Sequence, residues 1–237
     1  MDGRLVQPTR MRTAIAHRMQ ESKQQAPHFY AQAEITMDPL LAKLERLNAS
    51  EPPVRITVTA ALVRACAEAL GTHRMFNSIW TDEGLLEAED INIGVAVALD
   101  EGLLAPALLG ADRLGLSDLA TALRDLVERA RAQRLRPSEI SEATFTLSNL
   151  GMFDISAFTA IITPPQVAIL ATARPAERWM LQDGKPTSAA VMTATLSADH
   201  RAVDGVDSAR FLETFKTMLE TPRSLLSEPT LVKEAMS

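Results

Sequence analysis

Hydrophobic positions recur along much of the chain at the spacing of amphipathic helices. Apolar residues three or four apart predict helices over residues 11–24, 39–48, 58–70, 116–135 and 207–220. Pro27 ends the first of these helices, and Asp38-Pro39 begins the second. The helix over 116–135 has the clearest apolar face, and its basic C-terminal half suits the negative end of the helix dipole.

Strand-like segments alternate with these helices. Alternating or uninterrupted apolar runs predict strands at 31–37, 91–99, 144–149, 166–172, 178–182 and 190–197. Asp100-Glu101-Gly102 predicts a turn, and Asp183-Gly184 predicts a hairpin between the last two strands. Strands mixed with long helices, without a repeat or a linker-like stretch, predict one α/β or α+β domain over 1–237. The polar tail, 222–237, is predicted to be partly loose.

Composition narrows the classes of function. The chain has 237 residues and a net charge of −6, which disfavours nucleic-acid binding because such binding depends on neutralising phosphates. Cys66 is the only cysteine, so an intrachain disulfide is excluded and a thiolate metal site is disfavoured. Its position in the apolar face of 58–70 indicates a core residue rather than a nucleophile. We predict no metal site.

No segment predicts a membrane protein or a secreted one. The longest apolar candidate, 157–172, is interrupted by Pro164-Pro165, and the N-terminus lacks the apolar stretch of a secretory signal. We therefore expect a cytoplasmic protein, or a mitochondrial matrix protein in a eukaryote, with no membrane and no nucleic acid among its partners.

His200 lies in the segment SADHRAVDG, directly after the predicted strand 190–197. A structural interpretation makes His200 and Asp204 a hydrogen-bonded or surface pair. A functional interpretation rests on the position, because strand ends often expose reacting groups and an imidazole can accept a proton from a thiol or hydroxyl. The residues alone leave both interpretations open. His17, His28 and His73 are predicted to be structural.

A second polar segment, TLSNLGMF, follows the predicted strand 144–149. Ser148 and Asn149 end that strand, and Gly151 allows a ligand to approach the backbone closely. The segment is either a simple turn or a place where the Ser148 hydroxyl donates to a developing oxyanion. Familiar nucleotide, hydrolase and metalloprotease motifs are absent from the sequence.

Four segments resemble signatures of one family, in the same order. They are MRTAIAHRMQESKQQAPHFY (11–30), INIGVAVALDEGLLAP (91–106), TFTLSNLGMF with FTAIITPPQVAIL (144–153 and 158–170), and SADHRAVDG (197–205). Together they resemble the catalytic domain of dihydrolipoamide acyltransferases, the core component of 2-oxo acid dehydrogenase complexes. The resemblance implies a fold like that of chloramphenicol acetyltransferase: a two-layer α/β (α+β) domain with a mixed sheet and packed helices. It also implies trimers whose active sites lie between neighbouring subunits.

The resemblance implies roles for individual residues. His200 becomes the general base, Ser148 the oxyanion donor, and Asp204 a residue that stabilises the site. Arg18 matches an arginine that can pair with such an aspartate, although it is also interpretable as a solvated basic residue of an amphipathic helix.

Contacts to coenzyme A are implied for Thr57, Ser148 and Asn149. Thr57 is equally well interpreted as the N-cap of the helix over 58–70. Ala98 stands where some relatives carry a carboxylate near coenzyme A, so the resemblance leaves the contacts to its nucleotide end open.

The implied activity is acyl transfer between a dihydrolipoyl thiol and coenzyme A. The implied partners are a homotrimer or a larger cubic or dodecahedral core, a lipoyl domain, and the decarboxylase and dihydrolipoamide dehydrogenase components. The sequence contains neither the lipoyl nor the subunit-binding domain that family members usually carry. A coenzyme A-dependent acyltransferase with another acceptor and an assembly scaffold without turnover are the alternatives; intact His200, Ser148 and Asp204 argue against the scaffold.

Overall fold

The computed structural model describes residues 3–99, 102–182, 184–223 and 225. Its α-helices over these residues are α1 (Arg10–Gln25), α2 (Asp38–Ala49), α3 (Val58–Thr72), α4 (Leu116–Arg131), α5 (Pro137–Ser141) and α6 (Gly205–Glu220). Its strands are β1 (His28–Thr36), β2 (Ser78–Thr81), β3 (Gly84–Glu87), β4 (Ile93–Val95), β5 (Val97–Leu99), β6 (Gly102–Leu104), β7 (Ala107–Leu108), β8 (Phe145–Asn149), β9 (Ala168–Thr172), β10 (Ala176–Gln182) and β11 (Lys185–Asp199).

A mixed sheet forms the frame of the molecule. Its strand order is β1-β11-β9-β8-β4-β7, and β10 adds to the outer part of the long strand β11. The pairs β4–β8 and β8–β9 are parallel, whereas β11 runs antiparallel to β1, β9 and β10. The predicted mixed sheet with packed helices is therefore confirmed.

The predicted helices are all present, with ends displaced by a few residues. The prediction for 91–99 is wrong in one respect, because β4 and β5 are two short strands in different sheets rather than one strand. The predicted hairpin between 178–182 and 190–197 is confirmed, since Gln182 pairs with Lys185. Asp183 itself, the turn residues Asp100 and Glu101, and most of the tail 222–237 lie outside the described residues.

The core lies between the sheet and helices α3 and α6. Cys66 is fully buried in α3, and burial raises the pKa of its thiol well above the ordinary value, so it is a core residue as predicted. The ring of Phe211 in α6 packs against Phe76 and Phe145, with centroid distances of 4.8 and 5.7 Å. These contacts fix α6, and with it the turn that follows β11, against the sheet.

Helix α1 lies outside this core. Ser22 is its one buried residue, and its apolar residues Met11, Ile15 and Met19 are only half-buried. Ile15 and Met11 approach the backbone of Gly102 so closely that an added methyl group there would lie 3.0 Å from Ile15 Cδ1. The helix is thus held to the β5–β6 hairpin by its N-terminal half.

None of the helices in the described ranges is long and apolar enough to cross a membrane. Within the same ranges, no group of three or more His, Cys, Asp or Glu side chains is placed to hold a metal ion.

Candidate active site

A cavity of about 620 Å³ opens where β8 ends. Its walls come from the start of α3, the β4–β5 segment, one face of α4 and the residues that follow β8. Thr57, Ser148 and Asn149, the three residues predicted to contact coenzyme A, all line it. Its volume falls within the range of roughly 300–1,000 Å³ that is usual for small-molecule sites.

Ser148 presents its hydroxyl to this cavity. The residue is 9% exposed, while its neighbour Leu147 is fully buried in the core. Among the described residues the Ser148 hydroxyl has no hydrogen-bond partner, and because it lines the cavity it is available to a ligand.

Asn149 braces the turn after Ser148. Its amide nitrogen donates to Thr59 Oγ1 (3.0 Å), and its Oδ1 accepts from the Gly151 N–H (2.8 Å) and the Thr172 hydroxyl (3.2 Å). A side chain at Gly151 would place its Cβ 2.9 Å from that oxygen, which explains the glycine. The carboxamide is therefore largely committed to holding this turn.

Thr57 is the N-cap of α3, as predicted, and it also lies in the wall of the cavity. Its hydroxyl accepts a hydrogen bond from the Ala60 N–H (3.2 Å) and so caps α3, and the exposed residue also lines the cavity.

His200 lies at the other end of the sheet. Its N–H donates to Pro27 O (3.1 Å), and its exposed ring packs on Phe29 with a centroid distance of 4.7 Å. Ser148 is beside Ala171 in β9, and Ala171 is beside Thr195 in β11. His200 follows Thr195 by five residues, so it lies roughly 16 Å further along the sheet. Because a base and an oxyanion donor must both contact the reacting groups, these two residues cannot serve one substrate within a single chain.

A buried ion pair fixes the strand end that carries His200. Asp199 is 1% exposed, and its carboxylate accepts from the Arg201 backbone N–H (3.0 Å), Nε (3.0 Å) and Nη2 (2.6 Å). The Arg201 guanidinium also lies 4.3 Å from the centroid of the Trp80 ring in β2. This cluster was not predicted from the sequence, although Asp199 and Arg201 flank His200 there.

Asp204 caps α6. Its Oδ1 accepts from the Val206 N–H (2.8 Å) and the Asp207 N–H (3.0 Å), and its own N–H donates to Asp207 Oδ2 (3.1 Å). The backbone hydrogen bonds, that from Asp207 first, lower the pKa of Asp204 below its usual value, and nearby His200 adds a small effect. The carboxylate thereby stabilises the turn between His200 and α6.

The predicted pairing of Arg18 with Asp204 is wrong within the chain. Arg18 Nη2 donates to Pro164 O (2.7 Å), and no ion pair joins Arg18 to Asp204 among the described residues. The helix cap already satisfies Asp204, which therefore needs no cation from α1.

Residues of α1 and β1 hold the segment before β9 in place. Ser22 Oγ donates to Ile162 O (2.6 Å), and His28 Nε2 accepts from the Ile162 N–H (3.1 Å). His28 Nδ1 lies 2.8 Å from Ala26 O and so carries the proton. Burial is the main cause of the lowered pKa of His28, which favours the neutral ring that this pair of bonds requires. His28 is structural, as predicted.

A sheet of this topology with helices on its face and a serine-lined cavity defines a class of acyltransferase folds. Chloramphenicol acetyltransferase matches with a TM-score of 0.53 over 89% of this chain and 94% of its own; at 12% identity, this shows the fold alone. The chain belongs to the 2-oxoacid dehydrogenases acyltransferase (catalytic domain) family, whose model matches residues 2–227. The predicted family and fold are confirmed.

Named relatives belong to the pyruvate dehydrogenase complex. The mitochondrial dihydrolipoyllysine-residue acetyltransferase component of Dictyostelium discoideum is 41% identical over 220 residues, 91% of this chain and 34% of that protein. Two solved structures match with a TM-score of 0.89, 30% identity and 95% coverage of both chains. One is the dihydrolipoamide acetyltransferase of Azotobacter vinelandii, and the other is the cubic core of a pyruvate dehydrogenase multienzyme complex. This chain spans between a third and about half of the length of the first curated relatives.

Proposed function

We propose that the protein transfers an acyl group between coenzyme A and a dihydrolipoyl thiol. His200 of one copy acts as the general base, and Ser148 of a neighbouring copy stabilises the oxyanion. Family membership supports the reaction class. The observation that carries the residue assignment is the spacing of three polar residues in this chain and in a structural relative.

The relative is the Azotobacter vinelandii enzyme, in which a serine, a histidine and an asparagine were studied for their roles in catalysis. There the serine precedes the histidine by 52 positions, and the asparagine follows it by four. Ser148, His200 and Asp204 have the same two spacings in this chain. The third residue differs, but asparagine and aspartate are comparable helix caps, so Asp204 can do for the turn what an asparagine would do.

The proposed acyl transfer needs four groups: a base, a thiol, a thioester and a hydroxyl. A ring nitrogen of His200 takes the S–H proton while the sulfur attacks the thioester carbonyl carbon. The new C–S bond forms, the carbonyl electron pair moves to oxygen, and the Ser148 O–H donates a hydrogen bond to the resulting oxyanion. The intermediate then expels the other thiolate, which takes the proton from the imidazolium. Nothing is oxidised or reduced, and the same residues serve both directions.

Separation of the two residues supports a site between copies. Ser148 and His200 lie at opposite ends of strands two apart, and only Ser148 faces the cavity. A head-to-tail ring of copies places the histidine end of one chain against the serine end of the next. We propose that this ring is a homotrimer, as the resemblance implies.

Further partners follow from the relatives. The similarity to a cubic multienzyme core supports assembly of trimers into a larger core that works with a lipoyl domain and the decarboxylase and dihydrolipoamide dehydrogenase components. Arg18 is proposed to act indirectly, since it binds the Pro164 carbonyl beside β9 rather than a substrate.

Mixing two inactive variants tests the shared site. His200→Ala and Ser148→Ala proteins should each lose transfer from acetyl-CoA to dihydrolipoamide. Co-expressed at equal levels, they should regain about a quarter of wild-type activity, because random pairing in a ring joins an intact histidine to an intact serine in that fraction of interfaces.

The control is a double variant, with both substitutions in one chain, co-expressed with wild type. If the site is shared, this mixture should also retain about a quarter of wild-type activity, because intact pairs form only between wild-type copies, whereas a site within one chain would leave about half. Failure of the two single variants to complement each other, with assembly retained, would refute a site shared between chains. A wild-type protein without any transfer would refute the proposed reaction itself.

A further inference from the structure

Trp80, in β2, contacts the His200 end of the sheet although it has no part in the proposed chemistry. The guanidinium carbon of Arg201 lies over its ring, 4.3 Å from the ring centroid. Trp80 is half-buried, and it is not among the described residues that line the cavity at Ser148. Arg201 follows His200 directly in the chain, so this contact links Trp80 to the proposed general base.

Backbone hydrogen bonds join the β2–β3 hairpin to the segment before β9. The Trp80 N–H donates to Pro165 O (2.8 Å). The Val167 N–H donates to Ser78 O (3.3 Å), and Val167 O accepts from the Asp199 N–H (2.8 Å). One segment of backbone therefore holds both the hairpin and the end of β11, and it fixes the Trp80 ring relative to Asp199.

Asp199 and Trp80 contact different parts of the Arg201 guanidinium. Its Nε and Nη2 donate to the buried Asp199 carboxylate, at 3.0 and 2.6 Å, while the group as a whole lies over the Trp80 ring. The Arg201 side chain is still 32% exposed, and all three residues line a cavity of about 350 Å³. The guanidinium therefore has room to leave the carboxylate, and stacking on an aromatic ring restricts that movement.

The ion pair determines the shape of the turn from which His200 projects. The Arg201 N–H donates to Asp199 Oδ1 (3.0 Å), and the Ala202 N–H donates to Asp199 O (3.0 Å). If Arg201 rotated away, the Asp199 carboxylate would lose its cation, and the turn that directs the His200 side chain would relax. A shift of about 1 Å in a reacting group can lower a rate about 10²-fold.

We infer that Trp80 is a positioning residue for the proposed acyl transfer. Its ring holds the Arg201 guanidinium against Asp199, and this pair holds the turn in the geometry that presents His200 to the thiol. This inference rests on the proposed function. Because Trp80 acts through Arg201 and does not line the cavity at Ser148, its loss should lower kcat and leave KM for acetyl-CoA nearly unchanged.

A double-mutant cycle on Trp80 and Arg201 tests this route, with kcat expressed per folded, assembled protein. Trp80→Leu should lower kcat for transfer from acetyl-CoA to dihydrolipoamide about tenfold, as expected for the loss of one cation–π contact. Trp80→Phe keeps an aromatic face and should retain most of the wild-type kcat. Arg201→Gln should lower kcat at least as much as Trp80→Leu, and the double variant should lose no more than Arg201→Gln alone, because no guanidinium is then left to hold.

The matched control is Ile79→Ala, next to Trp80 in β2. The Ile79 side chain lies on the opposite face of the strand, so its truncation weakens the same hairpin without removing the contact to Arg201. This variant should be less stable than wild type but should keep the wild-type kcat per folded protein. A fall in its kcat equal to that of Trp80→Leu would show that general loosening of the hairpin, and not the aromatic ring, is responsible.

Fluorescence tests the contact without any turnover. The chain has two tryptophans, so in a Trp179→Phe background Trp80 is the only one. Its emission should change with Arg201→Gln and stay constant with Arg178→Gln. The inference is overturned if the emission ignores Arg201→Gln, if Trp80→Leu keeps the wild-type kcat, or if the two losses multiply in the double variant. A wild type that transfers no acetyl group would instead overturn the proposed function.

Discussion

The two ends of the sheet differ in the surroundings of their candidate site residues, His200 at one end and Ser148 at the other. At the His200 end, three polar side chains are committed to contacts within the protein: Asp199 binds Arg201, Asp204 caps α6, and His28 binds Ile162. At the Ser148 end, a cavity lies open, and the serine hydroxyl has no partner among the described residues. Contacts within the protein position the backbone at His200, whereas the Ser148 hydroxyl is left for a ligand.

This difference indicates which properties each end controls. Hydrogen bonds inside the protein determine the position of His200, so substitutions near it should affect stability together with activity. The Ser148 hydroxyl at the cavity gains a partner only when a substrate is present, so its removal should change kinetics and leave the free energy of unfolding nearly unchanged.

The largest effect is expected at the cavity end. Ser148→Ala should lower kcat by about 10²–10³, the usual cost of removing one oxyanion donor, while KM for coenzyme A changes far less. Steady-state kinetics measures both, and the melting temperature should stay at the wild-type value. Ser141→Ala, which removes an exposed hydroxyl of α5, is the control. A large rise in KM with normal kcat would make Ser148 a binding residue only.

An intermediate effect on stability is expected at the histidine end. Arg201→Gln leaves the Asp199 side chain, 2% exposed, without its cation. Breaking a buried pair costs about 3–5 kcal/mol, and because Arg201 is about a third exposed we expect about 2–3 kcal/mol. Urea unfolding at one fixed protein concentration measures the change.

The control for Arg201 is Arg178→Gln at the edge of the same sheet. Arg178 pairs with Glu34, whose side chain is 64% exposed, so this change should cost less than about 0.5 kcal/mol. Equal losses in the two variants would show that burial of Asp199 does not matter and that the two ends of the sheet do not differ as described.

The sequence predicted what periodicity and local chemistry determine. Helices α3 and α4 follow from apolar residues at helical spacing, and the pairing of β10 with β11 was predicted from the dipeptide Asp183-Gly184 in the sequence. The apolar run 91–99 predicted a buried strand. It did not predict that this run is divided into β4 and β5, because an uninterrupted apolar run does not indicate which sheet each of its parts joins. The β2–β3 hairpin was missed, since SIWTDEGLLE lacks a clear alternation.

Tertiary contacts explain why parts of the candidate site were missed. Arg201 and Trp80 are more than a hundred residues apart in the sequence, so no local sequence pattern predicts their contact. The basic residues of α4 suited the helix dipole, but only the fold shows that Arg131 faces a cavity while Arg129 binds Glu139. The expected Arg18–Asp204 pair came from the resemblance, and the backbone of α6 and Pro164 satisfy these two groups separately.

The smallest effect is expected at His28, and it depends on pH. His28→Ala removes the bonds to Ile162 and Ala26 and should cost about 1–2 kcal/mol at pH 8. Because burial lowers the pKa of folded His28, the unfolded chain takes up a proton first as the pH falls below about 6.5. The contribution of His28 to the free energy of unfolding is therefore complete above that pH and is lost below it, so the difference between wild type and variant should shrink from pH 8 to pH 5.

Burial also lowers the pKa of His73, but that residue is present in both proteins and its effect cancels in the comparison. Urea unfolding of both proteins across this range measures the difference, and a gap that stays constant would show that the neutral imidazole does not hold Ile162 in place.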